Sequence, residues 1–189
     1  MNDKIKQYIA AYIPQNEQEE KEQQIILSYL QEYDNLLTRD NEYAHFTASS
    51  LIVNKDFSKT LLIYHNIYDS WAWTGGHADG NADFLGVAIK EAQEETGVTN
   101  IIPVTDQIFS LDMLPVFGHV KRGSYVAPHM HLNLTYLLMA DENDNLTVKP
   151  DENSGVKWFS LTDMIEVSTE EEMKKVYRKL LERLKKQHC

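Results

Sequence analysis

The chain has 189 residues, 42% of them hydrophobic and 25% charged, with a formal net charge of −11; this fits one globular domain and excludes a disordered, collagen-like or coiled-coil chain. The acidic balance argues against broad contact with a nucleic-acid backbone, which needs lysine and arginine facing phosphate, so an anionic ligand would need a cation between itself and this protein. The only cysteine is Cys189, so no disulfide forms within the chain; with no signal-peptide pattern and no stretch approaching the roughly 20 apolar residues of a membrane span, the cytoplasm is the expected location.

Residues 1–40 read as a helical extension packed on a body. Ile5, Tyr8, Ile9, Tyr12 and Ile13 recur at helical spacing, Pro14 breaks the run, and Ile25, Ile26, Tyr29, Leu30 and Tyr33 resume it. The apolar faces of these two helices either cover the domain or meet a second copy in a homodimer. Residues 41–189 form the main domain, which opens with "AHFTASSLIV" and "KTLLIYHN", two strands joined by a turn near Asn54–Ser58.

From Asp83 to Thr96 the pattern returns to helix, with Leu85, Ala88, Ile89 and Ala92 on one side and Gly97 as its C-terminal cap. "HMHLNLTYLLMA" alternates: Met130, Leu132, Leu134 and Tyr136 share one face, and His129, His131, Asn133 and Thr135 the other. "VKWFSL" is a further strand. Ser168 and Glu171 form a candidate capping box ahead of a C-terminal helix whose apolar stripe runs from Met173 to Leu184. Helices interleave with strands and hairpin neighbours also occur, which predicts an α/β fold with a mixed sheet.

Within "GGHADGNADFLGVAIKEAQEETG", the residues Glu91, Glu94 and Glu95 stand at i, i+3 and i+4 and crowd three carboxylates into one sector of a helix. One reading is an ordinary acidic surface, since each like-charged neighbour costs only a few tenths of a kcal/mol on a solvated face. The other is a site for a hard cation such as Mg²⁺, which takes carboxylate, water and phosphate oxygens. On that reading Gly75 and Gly76 let the backbone turn tightly beside the ligand.

The stretch resembles the Nudix box: Gly76, Glu91, Ala92, Glu94, Glu95, Gly97 and Val98 fall in its register, and similarity extends over about residues 43–161, with N-terminal helices like those of one bacterial branch. The resemblance implies a Nudix-type α/β/α sandwich with a mixed β-sheet. It further implies an Mg²⁺- or Mn²⁺-dependent pyrophosphohydrolase acting on a nucleoside diphosphate linked to another group, or on a nucleoside triphosphate. Glu91, Glu94 and Glu95 carry over as metal ligands, with Glu94, Glu91 or the later Glu152 as the base; Glu152 reads equally well as a surface residue. Two positions depart from the box. Ala82 stands where the family has its first Glu, and Lys90 where it has Arg, so their bracing contact is lost unless Asp83 or Asp79 holds Lys90. This departure motivates an alternative, a nucleotide-binding module without turnover.

Histidines are usually solvated or hydrogen-bonded structural residues. A weaker similarity to isopentenyl diphosphate isomerase nevertheless marks His45 and His77, with His129 or His131, as candidates for a second site, and imidazole suits a transition metal. The isomerase's cysteine aligns with Gly75, so isomerisation is the least supported activity. Trp71, Trp73 and Tyr125 either pack or stack on a base, and Lys121 and Arg122 either approach a phosphate or lie in a solvated loop. The expected partner is a small diphosphate compound, with neither nucleic acid nor membrane.

Overall fold

A computed structural model describes residues 2–121 and 123–188. Arg122 and Cys189 lie outside the described residues, as does the side chain of Lys121, so the expected phosphate contacts of Lys121 and Arg122 lie outside them too. The elements in chain order are α1 (Asn2–Ala11), α2 (Glu17–Glu32), β1 (Ala44–Val53), β2 (Lys59–His65), β3 (Ser70–Ala72), β4 (Thr74–His77), α3 (Phe84–Thr96), β5 (Ile102–Pro103), β6 (Ser110–Val116), β7 (His119–Lys121), β8 (Ser124–Val126), β9 (His129–Met139), β10 (Asn153–Ser160), α4 (Asp163–Val167) and α5 (Glu171–His188).

The main sheet runs β10-β2-β1-β9-β5, with β3 added to β2, β4 to β1 and β6 to β9. It is mixed, because β1 and β9 pair in parallel from Ala44↔Met130 to Val53↔Met139 while the other pairs are antiparallel. Side chains alternate across the sheet. On one face Phe46, Ala48, Leu132, Leu134 and Tyr136 pack against Ile5, Ile9, Ile26 and Leu30 of α1 and α2 and Phe84, Val87, Ala88 and Ala92 of α3. On the other, Leu51, Val53, Leu62 and Leu137 pack against Val176, Tyr177, Leu180, Leu181 and Leu184 of α5. The result is an α/β/α sandwich in which α1 and α2 spend their apolar faces on the domain itself.

A buried ionic clasp ties α2 to α5. The Glu19 carboxylate, fully buried, lies 2.6 Å from an Arg183 guanidinium nitrogen and 3.1 Å from Lys179 Nζ. Its pKa is lowered; burial alone would raise it, but the Gln15 amide, Lys179 and Arg183 outweigh that penalty.

The polar face of β9 is buried at Asn133 and Thr135, and Asn133 accepts from Thr47 Oγ1 at 2.9 Å and Ser49 Oγ at 2.8 Å while donating to Thr135 at 3.1 Å. One local expectation is corrected. The Ser168 and Glu171 box does not form. Ser168 closes α4 and its hydroxyl accepts from the Glu170 amide at 3.4 Å, while the Glu171 carboxylate turns to Lys174 at 2.6 Å.

Candidate active site

Strand β4 runs antiparallel to β1 with Ser49↔Gly75, Ala48↔Gly76 and Thr47↔His77 opposed. The chain then turns through residues 78–83 into α3, whose first turn is capped by Asp83 accepting from the Gly86 amide at 3.0 Å. Gly97 ends the helix at φ 76°, the left-handed region where glycine is least strained. These two caps set the register of α3, which brings Glu91 and Glu95 against β4 and leaves Glu94 facing solvent. The tight turn expected at Gly75 and Gly76 does not form there, because both glycines lie in an extended strand paired with β1 and the chain turns only beyond His77.

Each carboxylate has a different environment. Glu95, only 3% exposed, accepts from the Gly75 amide at 3.0 Å. Burial pushes its pKa up to about 8, the Gly75 bond opposes this, and the Glu152 and Glu91 charges add to the rise. Glu91 is also raised by burial, and its carboxyl carbon lies 2.5 Å from where a Cβ on Gly76 would stand. Glu94 faces solvent, and hydrogen bonds from Lys149 and Lys90 lower its pKa.

Lys90 is held by neither aspartate. Its ammonium lies 3.4 Å from Glu91 and 3.2 Å from Glu94, whereas Asp79 takes a bidentate pair from Arg39 at 2.9 and 2.8 Å and Asp83 caps α3. Lysine's single ammonium reaches its own helix neighbours more cheaply than it reaches the turn. The structure does bring Glu152 to the cluster. Lys149 Nζ bridges Glu152 at 3.0 Å and Glu94 at 3.2 Å, and these bonds keep it charged despite the burial that opposes its charge. Sequence reasoning missed Lys149, for which the spacing to Glu152 was the only signal.

The donor set fits a hard divalent cation. It is all carboxylate oxygen, packed against glycine positions that leave no room for a side chain, and Glu91 and Glu95 are held in surroundings that penalise their negative charge.

Around His77, the residue after Gly76 on β4, four imidazoles gather. One ligand nitrogen from each of His45, His77 and His131 lies within 4.8 Å of the others. Ring centroids are 5.1 Å apart for His45 and His77, 5.1 Å for His45 and His131, and 5.0 Å for His77 and His131. His129 joins them at 4.7 Å from His45 and 5.2 Å from His131. Burial lowers the pKa of His45.

The tryptophans pack. Trp71 meets Phe159 edge-on at 4.8 Å and Trp73 meets Tyr177 at 5.7 Å. Tyr125, on β8, is 70% exposed. Among the described residues no helix is long and apolar enough to cross a membrane.

A family model described as the NUDIX domain matches residues 44–184. A search of curated proteins finds no match. Among solved structures, an Ap4A hydrolase complex from C. elegans is similar at TM-score 0.54 and 23% identity, over 74% of this chain and 96% of that one. An E. coli dihydroneopterin triphosphate pyrophosphohydrolase gives 0.53 and 12%, over 71% and 92%. A MutT protein from Methanosarcina mazei Go1 gives 0.57 and 15%, over 74% and 94%. At these identities the likeness is one of fold.

Proposed function

The chain belongs to the Nudix hydrolase family, and on that premise we propose that it is an Mg²⁺-dependent pyrophosphohydrolase that cleaves the diphosphate of a small nucleotide by attack of water on phosphorus. The observation that carries this reading is the setting of the α3 carboxylates beside β4: Glu95 accepts from the Gly75 amide and Glu91 fills the space at Gly76, while Lys149 links Glu94 to Glu152.

Glu91, Glu94 and Glu95 would hold the cation. When bound, it would neutralise phosphate charge, polarise phosphorus and make bound water more acidic. The chain's own groups do the rest. Glu95, anchored on the Gly75 amide, fixes the helix against β4. Gly76 leaves the Glu91 carboxylate room beside the backbone. On this reading Glu94, Glu91 or Glu152 would accept the proton of the attacking water. Lys149 lies between two of them, and its charge sets how strongly they hold a proton or a cation.

One observation favours a second reading, a nucleotide-binding module: Lys90 bonds to Glu91 and Glu94 of its own helix and does not tie α3 to the 78–83 turn. Product release from a panel of diphosphate-linked nucleosides and nucleoside triphosphates in Mg²⁺ separates the two. The panel includes a dinucleoside tetraphosphate and a pterin triphosphate, after the names of two structural relatives. Turnover by the wild type that falls about 100-fold or more in Glu94→Gln supports hydrolysis. Mg²⁺-dependent nucleotide binding without product across the panel supports the module. Comparing Glu152→Gln with Glu94→Gln then identifies which carboxylate takes the proton.

A further inference from the structure

We propose that His45, His77, His131 and His129 form a second metal site, built for a borderline transition ion such as Zn²⁺ and chemically distinct from the carboxylate site on α3. The strand register creates it. His45 and His131 are direct partners on β1 and β9, and His77 pairs with Thr47, two residues along the same face of β1. Side chains alternate across a strand, so these three rings emerge on one face of three adjacent strands. His129 precedes His131 by two residues and therefore shares that face.

The observation that points to a ligand is His45. This residue is 4% exposed, and its Nδ1 lies 3.2 Å from the Asn41 carbonyl. A carbonyl only accepts, so Nδ1 carries the proton and Nε2 keeps its lone pair. That Nε2 is buried with no hydrogen-bond partner. Buried polar atoms ordinarily find partners, and a ring whose other nitrogen donates to a backbone carbonyl is in the state that metal-ligating histidines adopt. His129 is set the same way, with Nδ1 at 2.8 Å from the Ala127 carbonyl. Two of the four rings thus have a fixed tautomer that offers Nε2.

Ion type follows from the donors. Neutral imidazole suits Zn²⁺, Ni²⁺ or Cu²⁺, whereas Mg²⁺ takes oxygen. Tetrahedral Zn–N bonds of about 2.0–2.1 Å put ligand nitrogens about 3.4 Å apart. The present spread of up to 4.8 Å therefore closes by little more than an ångström, within reach of side-chain rotation. Such an ion would tie β1, β4 and β9 together at His77, the residue after Gly76, and so stiffen the strand on which Glu91 and Glu95 rest.

The test uses the full chain carrying Cys189→Ser to remove the thiol, stripped of metal with a chelator and held in excess Mg²⁺ to occupy the carboxylates. Zn²⁺ is titrated by calorimetry and Co²⁺ by visible absorption. We expect one Zn²⁺ per chain, retained in Glu94→Gln and weakened at least about tenfold in His77→Asn and in His131→Asn, with a Co²⁺ spectrum of nitrogen ligation that the same variants alter. Circular dichroism reports whether each variant folds; His129→Asn, at a half-buried position, serves if the others do not, and is expected to weaken Zn²⁺ or change the Co²⁺ spectrum. The proposal is overturned if no Zn²⁺ binds in excess Mg²⁺, or if binding ignores the histidine substitutions. It is equally overturned if binding disappears in Glu94→Gln, which would assign the ion to the carboxylates. Because Zn²⁺ is read by binding and not by turnover, failure here leaves the hydrolase reading standing, and the reverse also holds.

Discussion

Glu91 and Gly76 occupy one space: a Cβ at position 76 would stand 2.5 Å from the Glu91 carboxyl carbon and 2.7 Å from its Cγ. The neighbouring glycine differs in kind, because a Cβ at position 75 would meet Ser49 Oγ at 2.4 Å and the Ala48 carbonyl oxygen at 2.8 Å. A side chain can swing away, while the backbone of a central strand cannot.

Gly76→Ala is therefore expected to fold with a melting temperature near that of the wild type but to displace Glu91, lowering turnover by about 100-fold. Gly75→Ala is expected to destabilise the fold by about 1–3 kcal/mol through overpacking. Thermal unfolding alongside turnover of both variants checks the pair; equal loss of stability in the two would contradict the assignment.

Metal-free protein is expected to lose stability as pH rises. Glu95 titrates near 8 in the fold against 4.5 ordinarily, so between those values the folded state binds more protons than the unfolded one, and stability declines over that window before levelling off above about 8. Glu91, also raised, acts in the same direction. Melting curves from pH 5 to 9, in chelator, should show this slope for the wild type and a flatter one for Glu95→Gln. Added Mg²⁺ displaces the proton, so its stabilising effect should grow with pH.

Lys149 is expected to oppose metal binding. Its two partly exposed ion pairs with Glu94 and Glu152 contribute about 0.5 kcal/mol each, and a cation must disrupt them. Lys149→Met should thus tighten Mn²⁺ binding about fivefold, as read by electron paramagnetic resonance; weaker binding would show that the ammonium positions the carboxylates for the ion.

The clasp between α2 and α5 makes a stability prediction. Removing Arg183 strands a fully buried carboxylate on Glu19 with Lys179 as its remaining cation. Arg183→Met should cost about 3 kcal/mol in denaturant titration, and adding Glu19→Gln should recover part of that loss. An additive double variant would mean that the pair is not coupled.

The elements were legible where their signal is local. Gly97, the cap that ends α3, appears where the spacing places it, and Asp83, read as the start of that helix, caps its first turn. The alternation of β9 is likewise local, but its consequence was not. Asn133 and Thr135 read as part of a polar face, and what buries them is not local: the parallel pairing with β1 brings Thr47 and Ser49 against them. Lys90 read as a residue to be braced by Asp79 or Asp83, yet Arg39, 40 residues before Asp79, takes that partner.

By itself, then, the sequence determined the periodic elements, the glycine and glutamate register of α3, and the family to which they belong. All of these depend on residues within a few turns of one another, where spacing and backbone geometry suffice. Only the tertiary structure decided which of these residues meet: Glu152 joining Glu94 through Lys149, and four histidines from β1, β4 and β9 closing on one face. Those contacts arise from strand order and layer packing, which set burial and partners across the chain and leave no periodic trace along it.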